Sequence, residues 1–159
     1  MVNVSHLGQQ LVDFLGDGRQ WRVTISISAE QTPLETAGGI IQALPRLGDA
    51  PFLLVNGDVF SDYPFAQLRE NAPAERGAHI VLVPNPEHHS LGDFALQDGR
   101  VGHRPSTRPA AGDPMVGTYS GIGVYDPGMF ANSALGRHPL KPLLDQAIVR
   151  ASLSGELYQ

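Results

Sequence analysis

The chain has 159 residues, 42% of them hydrophobic, enough for one globular domain with a sizeable core. Its net charge of -5 is spread without a basic run, which argues against a nucleic-acid footprint and against a polybasic membrane surface. With no cysteine it has no disulfide framework, thiolate metal cluster or cysteine nucleophile, and its apolar runs are too short for a membrane span, so the sequence reads as soluble and cytoplasmic, with neither nucleic acid nor membrane as partner.

Met1 to Val4 alternates like the tail of a strand and leads through Ser5, a candidate N-cap, into a helical pattern over Leu7 to Gly18. Leu7, Leu11, Phe14 and Leu15 share one face of it, which should meet the core. WRVTISIS, Trp21 to Ser28, alternates with period two and predicts a strand. LETAGGIIQALPRLG, from Leu34, predicts a helix that opens on small residues and turns Ile40, Ile41, Leu44 and Leu47 inward. Phe52 to Val55 then reads as a buried strand, a short helix follows near Pro64 to Glu70, and HIVLVP, His79 to Pro84, is a second buried strand. Strand and helix in alternation imply an α/β fold with a parallel sheet, in which Val23 to Ile27, Phe52 to Val55 and Ile80 to Val83 are neighbours.

Beyond Pro84 the composition changes. Gly92 to Val101 predicts a hairpin turned at Asp98-Gly99, and Gly102 to Pro114 has the make-up of an exposed, mobile loop. TYSGIGVYD, Thr118 to Asp126, is a strand interrupted by glycines, a helix starts near Leu140, and GELYQ opens a last strand.

Asn56-Gly57-Asp58 stands directly behind a buried strand, where it is either ordinary turn chemistry or a carboxylate placed to hold a cation in the crevice beyond the strand ends. Gly38-Gly39 at a helix opening serves either close packing on the sheet or close approach of a ligand to backbone N–H groups, and Glu35 and Thr36 are suited to capping. His88-His89 is the only adjacent histidine pair and reads as surface. Ser120 lacks the flanking glycines of a hydrolase elbow, having Thr118 and Ile122 at those positions. There is no complete dinucleotide or phosphate-loop signature.

Taken in order, PLETAGGI (Pro33 to Ile40), FLLVNGDVF (Phe52 to Phe60), GDF (Gly92 to Phe94), YSGIGVY (Tyr119 to Tyr125) and SGELY (Ser154 to Tyr158) resemble the sugar-1-phosphate nucleotidyltransferases, in particular a uridylyltransferase branch of cell-wall sugar recycling. The resemblance implies a Rossmann-like, three-layer, mixed but mostly parallel sheet of the nucleotide-diphospho-sugar transferase type, formed by one domain with a nucleotide-side half (1–84) and a sugar-side half (85–159). It implies formation of a nucleotide sugar and pyrophosphate from a nucleoside triphosphate, UTP by preference, and a sugar-1-phosphate, with Mg²⁺. Asp58 matches the metal-binding, catalytic aspartate; Glu35, Thr36, Gly38, Gly39, Asn56 and Gly57 match nucleotide contacts, and Gly92, Asp93, Ser120 and Gly121 match sugar contacts. The family's glycine-rich triphosphate loop and second metal-binding aspartate have no counterpart between Met1 and Gln159. On this resemblance the fold is incomplete at both ends, the chain as given should be inactive, and an exposed sheet edge should favour a homo-oligomer. The alternative reading is a non-catalytic nucleotide- or sugar-binding module.

Overall fold

The computed structural model describes residues 1–106 and 114–159. Its elements run in the order β1 (Val2–Val4), α1 (Gly8–Leu15), β2 (Ile27–Ala29), α2 (Glu35–Leu47), β3 (Phe52–Val55), β4 (Ala78–Val83), β5 (Phe94–Gln97), β6 (Arg100–His103), β7 (Met115–Tyr125), α3 (Lys141–Val149) and β8 (Leu153–Leu157), with short 3-10 turns between. They form two compact units: Met1–Gly48 with Phe130–Lys141, and Asp49–Met129 with Pro142–Gln159.

In the first unit β1 and β2 pair in parallel as a two-stranded sheet. The α2 helix holds this sheet through Gln42, whose Nε2 donates to the Ala29 carbonyl at 2.8 Å, and Arg46, whose Nη1 donates to the Ile27 carbonyl at 2.6 Å. Ala37, Ile40, Ile41 and Ala43 form the buried face of that helix. Three expectations fail here. The strand expected over Trp21 to Ser28 shrinks to Ile27–Ala29, because Arg19–Trp21 is a 3-10 turn, Arg22 is left-handed (φ 59°), and the Val23 and Ile25 N–H groups bond back to Gly18 and Asp17. Nor does the apolar stripe of α1 meet a core: Leu7, Leu11 and Phe14 are exposed, since strands of three residues offer too little face to cover a helix. Ser5 does not cap α1 through its side chain; a left-handed Leu7 (φ 54°) opens the helix.

The second unit is built on a six-stranded sheet in the order β3-β7-β4-β8-β6-β5. β4 pairs antiparallel with β7 and parallel with β8, and its Ala78, Ile80, Val81 and Leu82 are fully buried, as expected of a strand covered on both faces. The sheet is mixed: β3, β4, β5 and β8 run one way, while β6 and β7 run the other. β3 and β4 are therefore second neighbours that flank β7, and β2 belongs to the other sheet, so the three strands expected to be adjacent are not. A further β5–β7 pairing closes a circuit of pairings through β7, β4, β8, β6 and β5.

One face of this sheet packs Tyr63, Leu68, Val81 and Ile122 into a core extended by Val59, Val124 and Tyr158. The segment after β3 is tied down from β8, where the Glu156 carboxylate accepts bonds from Tyr63 Oη and from Asn71 Nδ2 (3.2 Å). The expected hairpin is present, with left-handed Asp98 (φ 50°) and Gly99 (φ 75°) giving the paired positive φ values of a tight two-residue turn. Strand β6 takes the first two residues of the expected loop at Gly102 to Pro114, and 107–113 lie outside the described residues.

Candidate active site

Residues 117–121 of β7 gather the candidate residues of the second unit. Between Ile80↔Gly123 and Leu82↔Tyr119 the β4–β7 register shifts, so that Val81 alone faces Ser120, Gly121 and Ile122. This bulge is held by Ser120, whose Oγ donates to the Val81 carbonyl at 2.8 Å and accepts the Ile122 N–H at 3.2 Å. Gly121 is left-handed (φ 82°), and its carbonyl accepts the Asn56 N–H at 2.9 Å. A Cβ on Gly121 would lie 2.9 to 3.0 Å from Asn56 side-chain atoms, so the glycine admits the Asn56 turn as well as the bulge conformation.

Asn56, Gly57 and Asp58 thus leave the carboxyl end of β3 beside the bulge, with the Val59 N–H donating to the Asn56 carbonyl at 3.1 Å. Gly57 and Asp58 are exposed. β4 also ends here, its Val83 opposite Thr118, so two strands running the same way place their carboxyl ends at one stretch of β7. That is where ligands bind in open α/β sheets.

The Gly92-Asp93 turn reaches the same stretch. The Asp93 N–H donates to the Gly117 carbonyl, and the Asp93 carboxylate receives the Tyr119 N–H on Oδ2, both at 2.9 Å. His89 Nε2 lies 3.0 Å from Asp93 Oδ1. Gly92 is buried with φ 62°, and a Cβ there would run into the Asn85 amide, which itself bridges β7 by donating to the Val116 carbonyl and accepting from Thr118 Oγ1. The Tyr119 and Tyr125 hydroxyls are 2.8 Å apart; burial pushes the Tyr119 phenol up to about 12 and that of Tyr125 up as well, so both stay neutral at physiological pH and one donates to the other.

In the first unit Glu35, Thr36, Gly38 and Gly39 open α2. Glu35 has φ 60° and its Oε1 is 2.6 Å from Arg137 Nη2. Neither Glu35 nor Thr36 caps the helix. The N–H groups of Ala37 and Gly38 both donate to the His138 carbonyl at 3.1 Å, and the His138 N–H donates to that of Leu34 at 2.9 Å. A Cβ on Gly38 would collide with the Gly136 carbonyl oxygen, and one on Gly39 would sit 2.7 Å from Asn3 Nδ2 and Glu30 Oε1. Close packing therefore accounts for both glycines in this structure.

Asn85, His89, Arg137 and His138 escape sequence reasoning. Only His89 leaves a signal, with Asp93 four residues on. Adjacent histidines on an extended chain would point to different sides, but Glu87–His89 is a 3-10 turn that swings His89 over Asp93. Asp58 is the one carboxylate at the end of β3, and no group of three His, Cys, Asp or Glu residues able to cage a metal ion occurs among the described residues. An exposed carboxylate such as that of Asp58 is a donor that a hard divalent cation can share with phosphate oxygens and water.

A family model described as nucleotidyl transferase matches residues 1–146. The chain belongs to this family. It is 41% identical, over 98% of its own length and 68% of that protein, to the N-acetylmuramate alpha-1-phosphate uridylyltransferase of Neisseria meningitidis serogroup B. It is 33% identical to the mannose-1-phosphate guanyltransferase of Hypocrea jecorina, over 89% of this chain and 39% of that one. Among solved structures, a putative glucose-1-phosphate thymidylyltransferase from Bacillus anthracis superposes with a TM-score of 0.72 at 20% identity, covering 95% of this chain and 63% of that one. The chain thus spans about two thirds of the first relative and two fifths of the second. The fold is that of the nucleotide-diphospho-sugar transferases, and the family assigns the chain to the sugar-1-phosphate nucleotidyltransferase class, as the sequence motifs implied.

Proposed function

We propose that this nucleotidyltransferase makes a UDP-sugar and pyrophosphate from UTP and a sugar-1-phosphate, with Mg²⁺, in the cytoplasm and in the recycling of cell-wall sugars. The observation that carries this reading is the 41% identity to the Neisseria uridylyltransferase along nearly the whole chain. The location agrees with the lack of a helix long and apolar enough to cross a membrane among the described residues.

In this reaction a phosphate oxygen of the sugar-1-phosphate attacks the α-phosphorus of UTP; the new P–O bond forms as the bond to pyrophosphate breaks, and pyrophosphate carries away the electron pair. The chain's share is positioning and charge placement, which supply most of the rate in phosphoryl-type transfer. Asp58 at the end of β3 is the residue proposed to hold Mg²⁺, which when bound neutralises phosphate charge and orients the reacting oxygens. In this reading Asn56 and Gly57 line the nucleotide beside it, Glu35 and Thr36 of the turn that opens α2 meet base and ribose while Gly38 and Gly39, packed on the Gly136 carbonyl and on Asn3 and Glu30, let that turn form, and Gly92, Asp93, Ser120 and Gly121 receive the sugar. Because the Ser120 hydroxyl is committed within the bulge, its contribution is to shape the strand while backbone groups face the sugar. In this reading the chain acts as one domain, nucleotide side in 1–84 and sugar side in 85–159, and self-associates as a homo-oligomer. Release of pyrophosphate from UTP, Mg²⁺ and N-acetylmuramate α-1-phosphate, measured on this chain and on a version given the Neisseria relative's flanking segments at both ends, is the test. Turnover by the extended version alone agrees with the inactivity expected of the chain as given; binding of both substrates with no turnover in either would favour a non-catalytic module, and binding of neither would end the reading.

A further inference from the structure

We propose that His89 is a positioning residue for the sugar-1-phosphate: it fixes the Asp93 carboxylate so that its remaining lone pairs face the sugar hydroxyls. The inference rests on the proposed function and extends it to a residue outside the motifs that carry the family resemblance.

Asp93 sits at the entry to β5, one residue before Phe94, which pairs with Gly117. Its Oδ2 receives the Tyr119 N–H at 2.9 Å, which pins one oxygen to β7 next to the Ser120–Gly121 bulge. A carboxylate pinned through one oxygen can still rotate about its side-chain bonds. The second hold on it is His89 Nε2, 3.0 Å from Oδ1. Two holds from different elements, the strand and the 3-10 turn of Glu87–His89, define the plane of the group. Each oxygen of an ionised carboxylate accepts about two hydrogen bonds, so after Tyr119 and His89 one acceptor site per oxygen is left. The Asp93 side chain is 32% exposed, so those sites can reach a ligand. A carboxylate with two oriented, charge-assisted acceptors suits neighbouring hydroxyls of a pyranose.

The backbone of the turn is fixed independently of the His89 imidazole. The Gly92 N–H donates to the His89 carbonyl at 3.0 Å, Gly92 packs on Asn85, and the Asp93 N–H holds the Gly117 carbonyl. Removing the imidazole therefore frees the carboxylate without unmaking the turn. The His89 side chain is itself 43% exposed, so its loss leaves no buried cavity.

The test compares His89→Ala with His89→Gln, whose amide N–H can donate to Asp93 in place of Nε2–H. Calorimetry with N-acetylmuramate α-1-phosphate, and separately with UTP and Mg²⁺, should show H89A weakening sugar-phosphate binding by about 3- to 10-fold, the scale of one lost hydrogen bond, with UTP affinity and melting temperature unchanged and with H89Q near wild type. The ¹⁵N–¹H signal of Tyr119, whose N–H meets Asp93, should move in H89A and hold in H89Q. Unchanged sugar-phosphate affinity in H89A, equal loss for both substrates, or an H89Q variant as weak as H89A would overturn the proposal. If the wild-type chain binds neither probe, the proposed function falls, and the Tyr119 signal alone decides the His89–Asp93 coupling: an unmoved peak in H89A refutes it.

Discussion

Gly121→Ala should be among the most damaging single-methyl changes in this protein. A left-handed backbone costs an L-residue with a Cβ about 1–2 kcal/mol, and Gly121 sits at φ 82°. The new methyl would also meet Asn56 Nδ2 at 2.9 Å and Asn56 Cβ and Cγ at 3.0 Å, closer than atoms pack without moving, and such overpacking adds about 1–3 kcal/mol. The sum, about 2–5 kcal/mol, corresponds to a fall in melting temperature of roughly 5–15 °C for a chain of this size. If Asn56 yields instead of the bulge, part of that cost is spared, but the Asn56–Asp58 turn shifts and binding of Mg²⁺ with UTP weakens. Gly57→Ala is the matched control: Gly57 has no positive φ and nothing within 4 Å of the place a Cβ would take, so its substitution should stay within about 0.5 kcal/mol of wild type. Thermal unfolding by circular dichroism and calorimetric titration of UTP with Mg²⁺ measure both effects. A G121A protein that melts within a degree or two of wild type and binds normally would refute the argument that this glycine is required by conformation and contact.

Gly38→Ala should destabilise the first unit, because its methyl meets the Gly136 carbonyl and threatens both N–H bonds to the His138 carbonyl; amide exchange at Ala37 and Gly38 should quicken, and unchanged protection would count against it. Asp58→Asn should leave the melting temperature near wild type, since Asp58 is exposed and its amide replacement is nearly isosteric, while abolishing Mg²⁺-dependent nucleotide binding; retained Mg²⁺ dependence would move the metal site elsewhere. His79 is buried on β4 with Nδ1 hydrogen-bonded to Ser154 Oγ at 2.9 Å, and desolvation lowers its pKa from the usual 6.5 despite the opposing Glu156 carboxylate. The unfolded chain therefore binds this proton first, so the stability from neutral His79 is present above pH 6.5 and is lost as pH falls through the lower native value. Urea denaturation at stepped pH should show this loss, and His79→Gln should flatten it; an equal acid slope in H79Q would assign the effect to other groups.

Phe52 to Val55, Ala78 to Val83 and the Asp98-Gly99 hairpin can be read from the sequence because their signals are local: short apolar runs and a turn whose paired positive φ values select Asp-Gly. Burial is another matter: Ala78 to Val83 is covered as expected, but Leu53 and Val55 are exposed, so Phe52 to Val55 is not the buried strand expected, one of its faces being left uncovered. The ordered motifs also identify the family, since matched segments in sequence order do not require knowing which strands touch. What they cannot give is pairing. Trp21 to Ser28 has the alternation of a strand, but alternation needs a partner, and Arg22 in the left-handed region turns most of that segment back on Asp17 and Gly18. α1 has an amphipathic stripe, but burial depends on a facing surface, and its Leu7, Leu11 and Phe14 stay exposed. At the site, the sequence nominates Asn56, Asp58, Asp93 and Gly121 as separate segments. Only the pairing of β3 and of β5 with β7 brings the Asn56 turn and the Asp93 carboxylate to one stretch of that strand, beside the bulge opposite Val81. Likewise Gly38 could serve a ligand or a packing contact by sequence alone, and the approach of the Gly136–His138 backbone, about a hundred residues away along the chain, decides what it touches, because close contact between distant segments is set by the packed fold and leaves no periodic trace in either one.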